Sequence, residues 1–352
     1  MISPEEKFMV NILYRSENEI LNGIDINTIN FENLIKLASG HLMLPALYFN
    51  INKKNHSHLF PDDFIDYIKN IYSINKARNT VLLSEARELS ELLYKYNIKH
   101  IFLKGTALLL SNVFEDIGER MIGDIDFIVQ HKDEEKIKKV LKKNNYCNKD
   151  TVSLFRLFKP THLSKQVHKN KKIALEPHLE LLEPRNRWVF NSKRLISAFK
   201  QESKTIITPG KPFLFDHCIY AVQIRDRGFF IPYHGHRSIY DIYKLDCKNS
   251  LTINNIKKDI FIRHFFVTID KFKIFDIPIT TTLLSPYSER MYGYLEISFF
   301  RILFITQNYF KKCVLVIQLF FSNELRGHAL NKISIQYHNK TLLKYLYKWL
   351  KH

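Results

Sequence analysis

Two aspartates stand two residues apart inside an apolar run, Asp124-Ile125-Asp126-Phe127-Ile128-Val129, and this pair constrains the chain more than any other feature. In a strand, residues i and i+2 point to one side. Asp124 and Asp126 then lie side by side, while Ile125, Phe127 and Val129 turn to the other face. Adjacent carboxylates repel each other unless a cation stands between them, so folding alone gives little reason for the pair. Upstream, Leu103-Lys104-Gly105-Thr106 joins a short β-rich run, 98–103, to a helix-patterned segment, 106–114. A Gly-small junction of this kind offers backbone N–H groups to a phosphate. Together the two segments predict a place to hold a metal–nucleoside triphosphate. Lys104 and Arg120 suit phosphate neutralisation and equally suit a surface charge or a structural ion pair.

Magnesium takes oxygen ligands, commonly one or two carboxylates plus substrate phosphates. A third acid on a neighbouring strand completes a two-metal site or serves as base. Glu176 is the candidate, because 172–180 alternates and puts Ala174, Glu176, His178 and Glu180 on one face. Glu180 and Glu183 compete with it. Pro177 pushes this strand toward a sheet edge or its own end. His178 suits orienting a carboxylate, touching substrate, or a purely structural place. His234-Gly235-His236 has the outline of a metal loop but lacks a carboxylate or cysteine partner. Arg237 and Asp241 lie one helical turn apart, a spacing at which they can pair.

The period along the chain changes twice. Residues 4–97 carry apolar residues at helical spacing, most clearly from Arg78 to Tyr96, where Val81, Leu82, Ala86, Leu89, Leu92 and Leu93 make one stripe. Residues 98–182 alternate between strand and helix signals, with a Lys-rich helix over 133–144. From about 186 helical patterns return, at 213–222, 237–245 and 292–321. The expected organisation is an N-terminal helical region, 1–97, a core with a small mixed β-sheet, 98–185, and a mostly helical C-terminal domain, 186–352. The fold class is α+β.

Charge and composition narrow the partners. The 352 residues carry a formal net charge of +18, which suits an anionic partner such as nucleotide, RNA or an acidic membrane surface. An A/T-rich genome also produces such an excess of Lys, Asn and Ile. With 45% hydrophobic residues the chain can bury a sizeable core. Cys147, Cys218, Cys247 and Cys313 are isolated, which argues against a zinc ribbon or disulfide scaffold and fits a reducing cytosol. The opening residues are charged and polar, unlike a secretory leader. The longest apolar run, 314–321, is far shorter than the ~20 residues of a spanning helix. The expectation is a cytoplasmic protein without a transmembrane segment, with peripheral membrane contact a minor reading.

At these residues the sequence resembles the nucleotidyltransferase superfamily built on the DNA polymerase β-type catalytic fold. Its signature of Gly-Ser or Gly-Gly, a helix, Asp-x-Asp/Glu in a strand and a later acidic strand corresponds to Gly105-Thr106, Asp124-Ile125-Asp126 and Glu176. More narrowly, the chain is similar to a large, poorly characterised bacterial nucleotidyltransferase family with a Leu-Lys-Gly … Arg … Asp-Ile-Asp core. Leu37-Ala38-Ser39-Gly40-His41, Glu176-Pro177-His178, His217 and Arg237–Asp241 match its other recurrent features. Thr106 departs from the wider superfamily's serine or glycine, and Pro177 sits beside the third acid.

The resemblance implies transfer of a nucleoside monophosphate from an NTP such as ATP to an acceptor hydroxyl or phosphate, with pyrophosphate leaving. It implies two Mg²⁺ ions at Asp124, Asp126 and Glu176, and a nucleotide held by Lys104, Gly105, Thr106 and Arg120. The acceptor stays open among a small molecule, a protein and RNA. The alternative is a non-catalytic nucleic-acid-binding or regulatory protein on the same fold.

Overall fold

The computed structural model describes residues 2–149, 161–182 and 190–275, apart from 17–18, 20–22, 191, 193–194, 196–198, 202, 227, 229–234 and 247–258. The described elements belong to one compact unit drawn from residues 1–151 and 159–288. The expected helix over 292–321, the expected boundary between 185 and 186, and the candidates Glu183 and His234 lie outside the described residues.

The N-terminal part is helical, as its spacing predicts. Helix α1 (Pro4–Tyr14) begins where the Ser3 hydroxyl oxygen accepts from the Glu6 N–H and Pro4 takes the first helical position. Helices α2 (Phe31–Gly40) and α3 (Leu44–Lys53) follow. Helix α4 runs from Asp62 to Lys95, 34 residues, and so starts well before the amphipathic stripe at Arg78. No glycine or proline interrupts it, Pro61 precedes it, and Asp62 and Asp63 meet the positive end of its dipole.

The sheet orders its strands β1-β2-β5-β4-β3, with β1 at His100–Phe102, β2 at Asp124–Val129, β3 at Tyr146–Asn148, β4 at Gln166–His168 and β5 at Ala174–His178. The β2–β5 pair is parallel and the other pairs are antiparallel, which makes the sheet mixed. Helix α5 (Lys104–Leu110) follows β1, and α6 (Glu134–Lys143) joins β2 to β3. The protein is therefore α+β, as expected. Strands β3 and β4 are three residues each, too short to show an alternation in the sequence.

Pro177 does not put its strand at an edge. β5 lies between β2 and β4, and Pro177 is its penultimate residue. There the β4 ladder has already ended, since β4 pairs with β5 only at Gln166↔Leu175. The missing N–H thus falls past the regular pairing, while the Pro177 carbonyl still accepts from Leu163 N–H at 2.8 Å.

Both faces of β2 are covered, by different partners. Ile125, Phe127 and Val129 join the main apolar core with residues of α4, α5 and α6. Ile128, on the aspartate side, joins a second cluster with Leu103, Leu181, Leu182, Phe190, Leu195, Phe213 and Tyr220. Phe213 and Tyr220 come from α7 (Lys211–Tyr220), which continues as a π turn, Ala221–Arg225. A two-stranded sheet of β6 (Phe199–Gln201) and β7 (Ile207–Pro209) precedes α7. Helices α8 (His236–Leu245) and α9 (Ile260–Ile269) pack against α7. Among the described residues no single helix is long and apolar enough to cross a membrane.

Candidate active site

The loop that delivers β2 is held by polar side chains of α4. Asn75 donates to Gly118 O at 2.7 Å. Asn79 donates to Ile117 O at 2.6 Å and Arg120 O at 2.8 Å. Arg78 donates to Gly123 O at 2.7 Å. These bonds satisfy carbonyls that the irregular loop would otherwise leave unpaired, and they set the residue before Asp124. Glu85 of the same helix accepts from Lys172 N–H at 2.9 Å and Ile173 N–H at 3.2 Å, which fixes the entry to β5. One helix therefore aims both acid-bearing strands.

The parallel register sets Asp126 opposite Glu176 and Asp124 opposite Ala174. Donor atoms of Asp126, Glu176 and His178 all come within 4.8 Å of one another. His178 Nε2 lies 2.9 Å from Asp126 Oδ1 and 3.7 Å from Glu176 Oε1. Asp124 stands outside that set, with its Oδ2 accepting from Lys165 Nζ at 2.5 Å. Glu180 lies past the end of β5, where its Oε1 is 3.0 Å from His131 Nε2.

Lys104 opens α5 with a left-handed backbone, φ +49°. That conformation is uncommon for a side chain with a Cβ, and it follows directly on the bond from Leu103 N–H to Asp126 O at 2.9 Å. Its Nζ donates to Asp126 Oδ1 at 2.6 Å and lies 3.3 Å from His178 Nε2. The strained junction thus directs an ammonium onto the carboxylate.

Burial by itself would raise the Asp126 pKa. The His178 hydrogen bond and the Lys104 charge outweigh it and hold the carboxyl at about 2. Burial, reinforced by Lys104, lowers the His178 pKa against the pull of Asp126 and Glu176. The imidazole is then neutral at ordinary pH, the form that ligates metals. The Lys165 pKa is raised by its hydrogen bond to Asp124, with the charges of Asp124, Glu176 and Asp126 adding to it.

Two sequence candidates have buried hydrogen-bond partners of their own, and for Arg120 this is the structural ion pair that its sequence also suited. Thr106 is fully buried, and its hydroxyl donates to Asp124 O at 3.3 Å and accepts from Asp126 N–H at 3.4 Å. It fastens α5 to β2, so its side chain is not turned outward to a phosphate. Arg120 is buried and engaged by Asp241: Nε donates to Oδ1 at 2.6 Å and Nη2 to Oδ2 at 2.8 Å, and Nη1 donates to the Met121 carbonyl. Asp241 therefore pairs with Arg120 and not with Arg237 one turn before it. Gly105 is buried beside Ile122, and an added Cβ would come within 3.0 Å of Ile122 Cγ1.

His178 belongs to the cluster more closely than Asp124 does, and the alternation that selected Glu176 already carried it. Lys165 had no such signal. It is one lysine among many, and only the β4–β5 pairing brings it near Asp124. The donor set suits a divalent cation. Carboxylate oxygens are hard ligands and a neutral imidazole is compatible, but an ammonium already lies against each of the two aspartates, so an ion has to compete with Lys104 and Lys165 for them.

Residues 27–242, more than half of the chain, match the model of a protein family described as uncharacterised nucleotidyltransferase. No curated protein matches the chain.

Proposed function

Since the chain belongs to this uncharacterised nucleotidyltransferase family, we propose that it transfers a nucleoside monophosphate from a nucleoside triphosphate to an acceptor hydroxyl or phosphate, releasing pyrophosphate. The observation that carries this reading is the parallel register of β2 and β5, which brings the acids of Asp126 and Glu176 together with His178 beside the Lys104 amine. Asp126, Glu176 and His178 would hold one Mg²⁺, and Asp124 would share in a second. Magnesium bound there would neutralise phosphate charge and polarise the attacking oxygen.

The chain's own residues do the rest. Lys104 moves from Asp126 to the phosphates once the carboxylate is engaged elsewhere, and Gly105 presents a backbone without a Cβ at the start of α5. Glu176 takes the proton of the acceptor hydroxyl. A bond forms between the acceptor oxygen and the α-phosphorus as the bond to the bridging oxygen of the pyrophosphate breaks. Arg120 acts through Asp241, as the brace that holds the loop before β2. The acceptor stands open among a small molecule, a protein and RNA.

The lysines paired with Asp124 and Asp126 favour one second reading, in which the fold binds nucleic acid or regulates without catalysis and the ammonium groups stay in place. The test is incubation with each labelled NTP, Mg²⁺ and cell extract. Label appears in RNA, protein or small molecules, and it is lost in Asp124→Ala combined with Asp126→Ala. Labelling that survives this double substitution rejects the proposed mechanism.

A further inference from the structure

The acid cluster meets the cation of a metal–polyphosphate, but it does not explain the arginines gathered beside it. Helix α7 ends in the π turn Ala221–Arg225. Such turns are rare and frequent at functional sites, and this one terminates at Arg225. Its guanidinium feels the carboxylates of Asp126 and Glu176. Nε and Nη2 donate to the adjacent Asp226 at 2.9 and 3.2 Å, and the pair is roughly half exposed. Arg237 stands in the first turn of α8, one turn before Asp241, and therefore on the same side of the helix as the Arg120–Asp241 pair. It is partly buried and interacts with Arg120 and Arg225.

Charge balance singles out Arg237. Asp241 compensates Arg120, and Asp226 compensates Arg225. Among the described residues Arg237 donates no hydrogen bond. Burial, followed by the like charge of Arg120, lowers its pKa, although Asp241 and Asp226 pull the other way. Among the described residues Arg237 is thus a partly buried guanidinium that donates to no acceptor, its neighbouring carboxylates Asp241 and Asp226 being engaged by Arg120 and Arg225, and an added anion suits it. A planar fork of N–H donors suits a phosphate.

We propose that Arg237, flanked by Arg225, is an anion subsite for a phosphoryl group of the substrate, next to the carboxylate cluster. This rests on the nucleotidyltransferase reading and adds the groups that hold a phosphate end. The phosphate belongs to the tail of the triphosphate or to a phosphorylated acceptor. In the first case Arg225 and Arg237 also stabilise the charge that builds on departing pyrophosphate.

The test is calorimetry on the full chain with Mg²⁺, using inorganic tripolyphosphate and inorganic phosphate as probes. Arg237→Gln weakens tripolyphosphate binding about tenfold or more, Arg237→Lys recovers part of it, and Arg225→Ala weakens it less. Phosphate binding that is blocked by a saturating non-hydrolysable NTP assigns the subsite to the triphosphate tail. Arg237-dependent phosphate binding that persists beside the bound analogue assigns it to an acceptor phosphate. Wild-type affinity for both probes in Arg237→Gln, with an unchanged melting curve, overturns the proposal. These measurements need no turnover. Loss of labelling in the transfer assay and loss of phosphate binding here are therefore separate results.

Discussion

Arg120, in the loop before β2, and Asp241, in α8, are joined by two parallel hydrogen bonds although 121 residues separate them in sequence. Both side chains are less than one-tenth exposed. Breaking such a pair from one side leaves a buried charge uncompensated. Asp241→Asn is expected to lower stability by about 3 kcal/mol. Replacing both partners with apolar residues of similar volume recovers most of that loss. Urea unfolding of the wild type and these two variants checks it, and a double variant no better than the single one contradicts the pairing.

Glu85 ties α4 to the strand that bears Glu176. Its two oxygens accept from consecutive backbone N–H groups, so Glu85→Ala strands both donors. The expected cost is about 2 kcal/mol, with Glu85→Gln intermediate because it keeps one acceptor. The same substitution lets the start of β5 move, so labelling falls further than stability predicts. Denaturation and transfer assays on the same preparations measure both.

Lys165 competes with any cation for Asp124. It is about one-third exposed, so the pair is worth about 1 kcal/mol at most. Lys165→Met is then expected to tighten Mn²⁺ binding by up to about fivefold, read by the loss of free Mn²⁺ signal in electron paramagnetic resonance. Weaker binding in that variant shows that the lysine helps to hold the ion's ligands and does not oppose the ion.

His217 lies in α7 against the rings of Phe190 and Phe213, 4% exposed. Burial, with the charges of Lys104 and Arg225 adding, pushes its pKa down to about 3. Above pH 6.5 the imidazole is neutral folded and unfolded, and it contributes no pH dependence. Below that the unfolded chain takes up a proton that the folded chain refuses, so stability falls as pH drops from about 6.5 towards 3. The slope is about 1.4 kcal/mol per pH unit, or about 2 kcal/mol between pH 6.5 and 5. His217→Phe is expected to flatten the curve over that range. An equal slope in the variant assigns the acid sensitivity to other groups.

The local part of this architecture was legible along the chain. The period-two run at 124–129 states which side chains share a face, and Ile125, Phe127 and Val129 enter the main core while the aspartates do not. The alternation at 174–178 likewise put Glu176 and His178 on one side. Strand period is a property of neighbouring residues, so it survives without knowledge of the fold. The short strands β3, β4, β6 and β7 had no comparable signal, because three residues do not show a period.

What contacts what was another matter. Local patterning was enough to specify an α+β chain with two acid-bearing strands and a glycine junction ahead of the first. Long-range packing is what runs β5 parallel to β2 in the register Asp126↔Glu176, turns Thr106 inward, gives Asp241 to Arg120 and brings Lys165 to Asp124. A hydrogen bond or ion pair depends on where two distant segments meet, and that is set by the joint burial of their apolar faces and not by either segment alone.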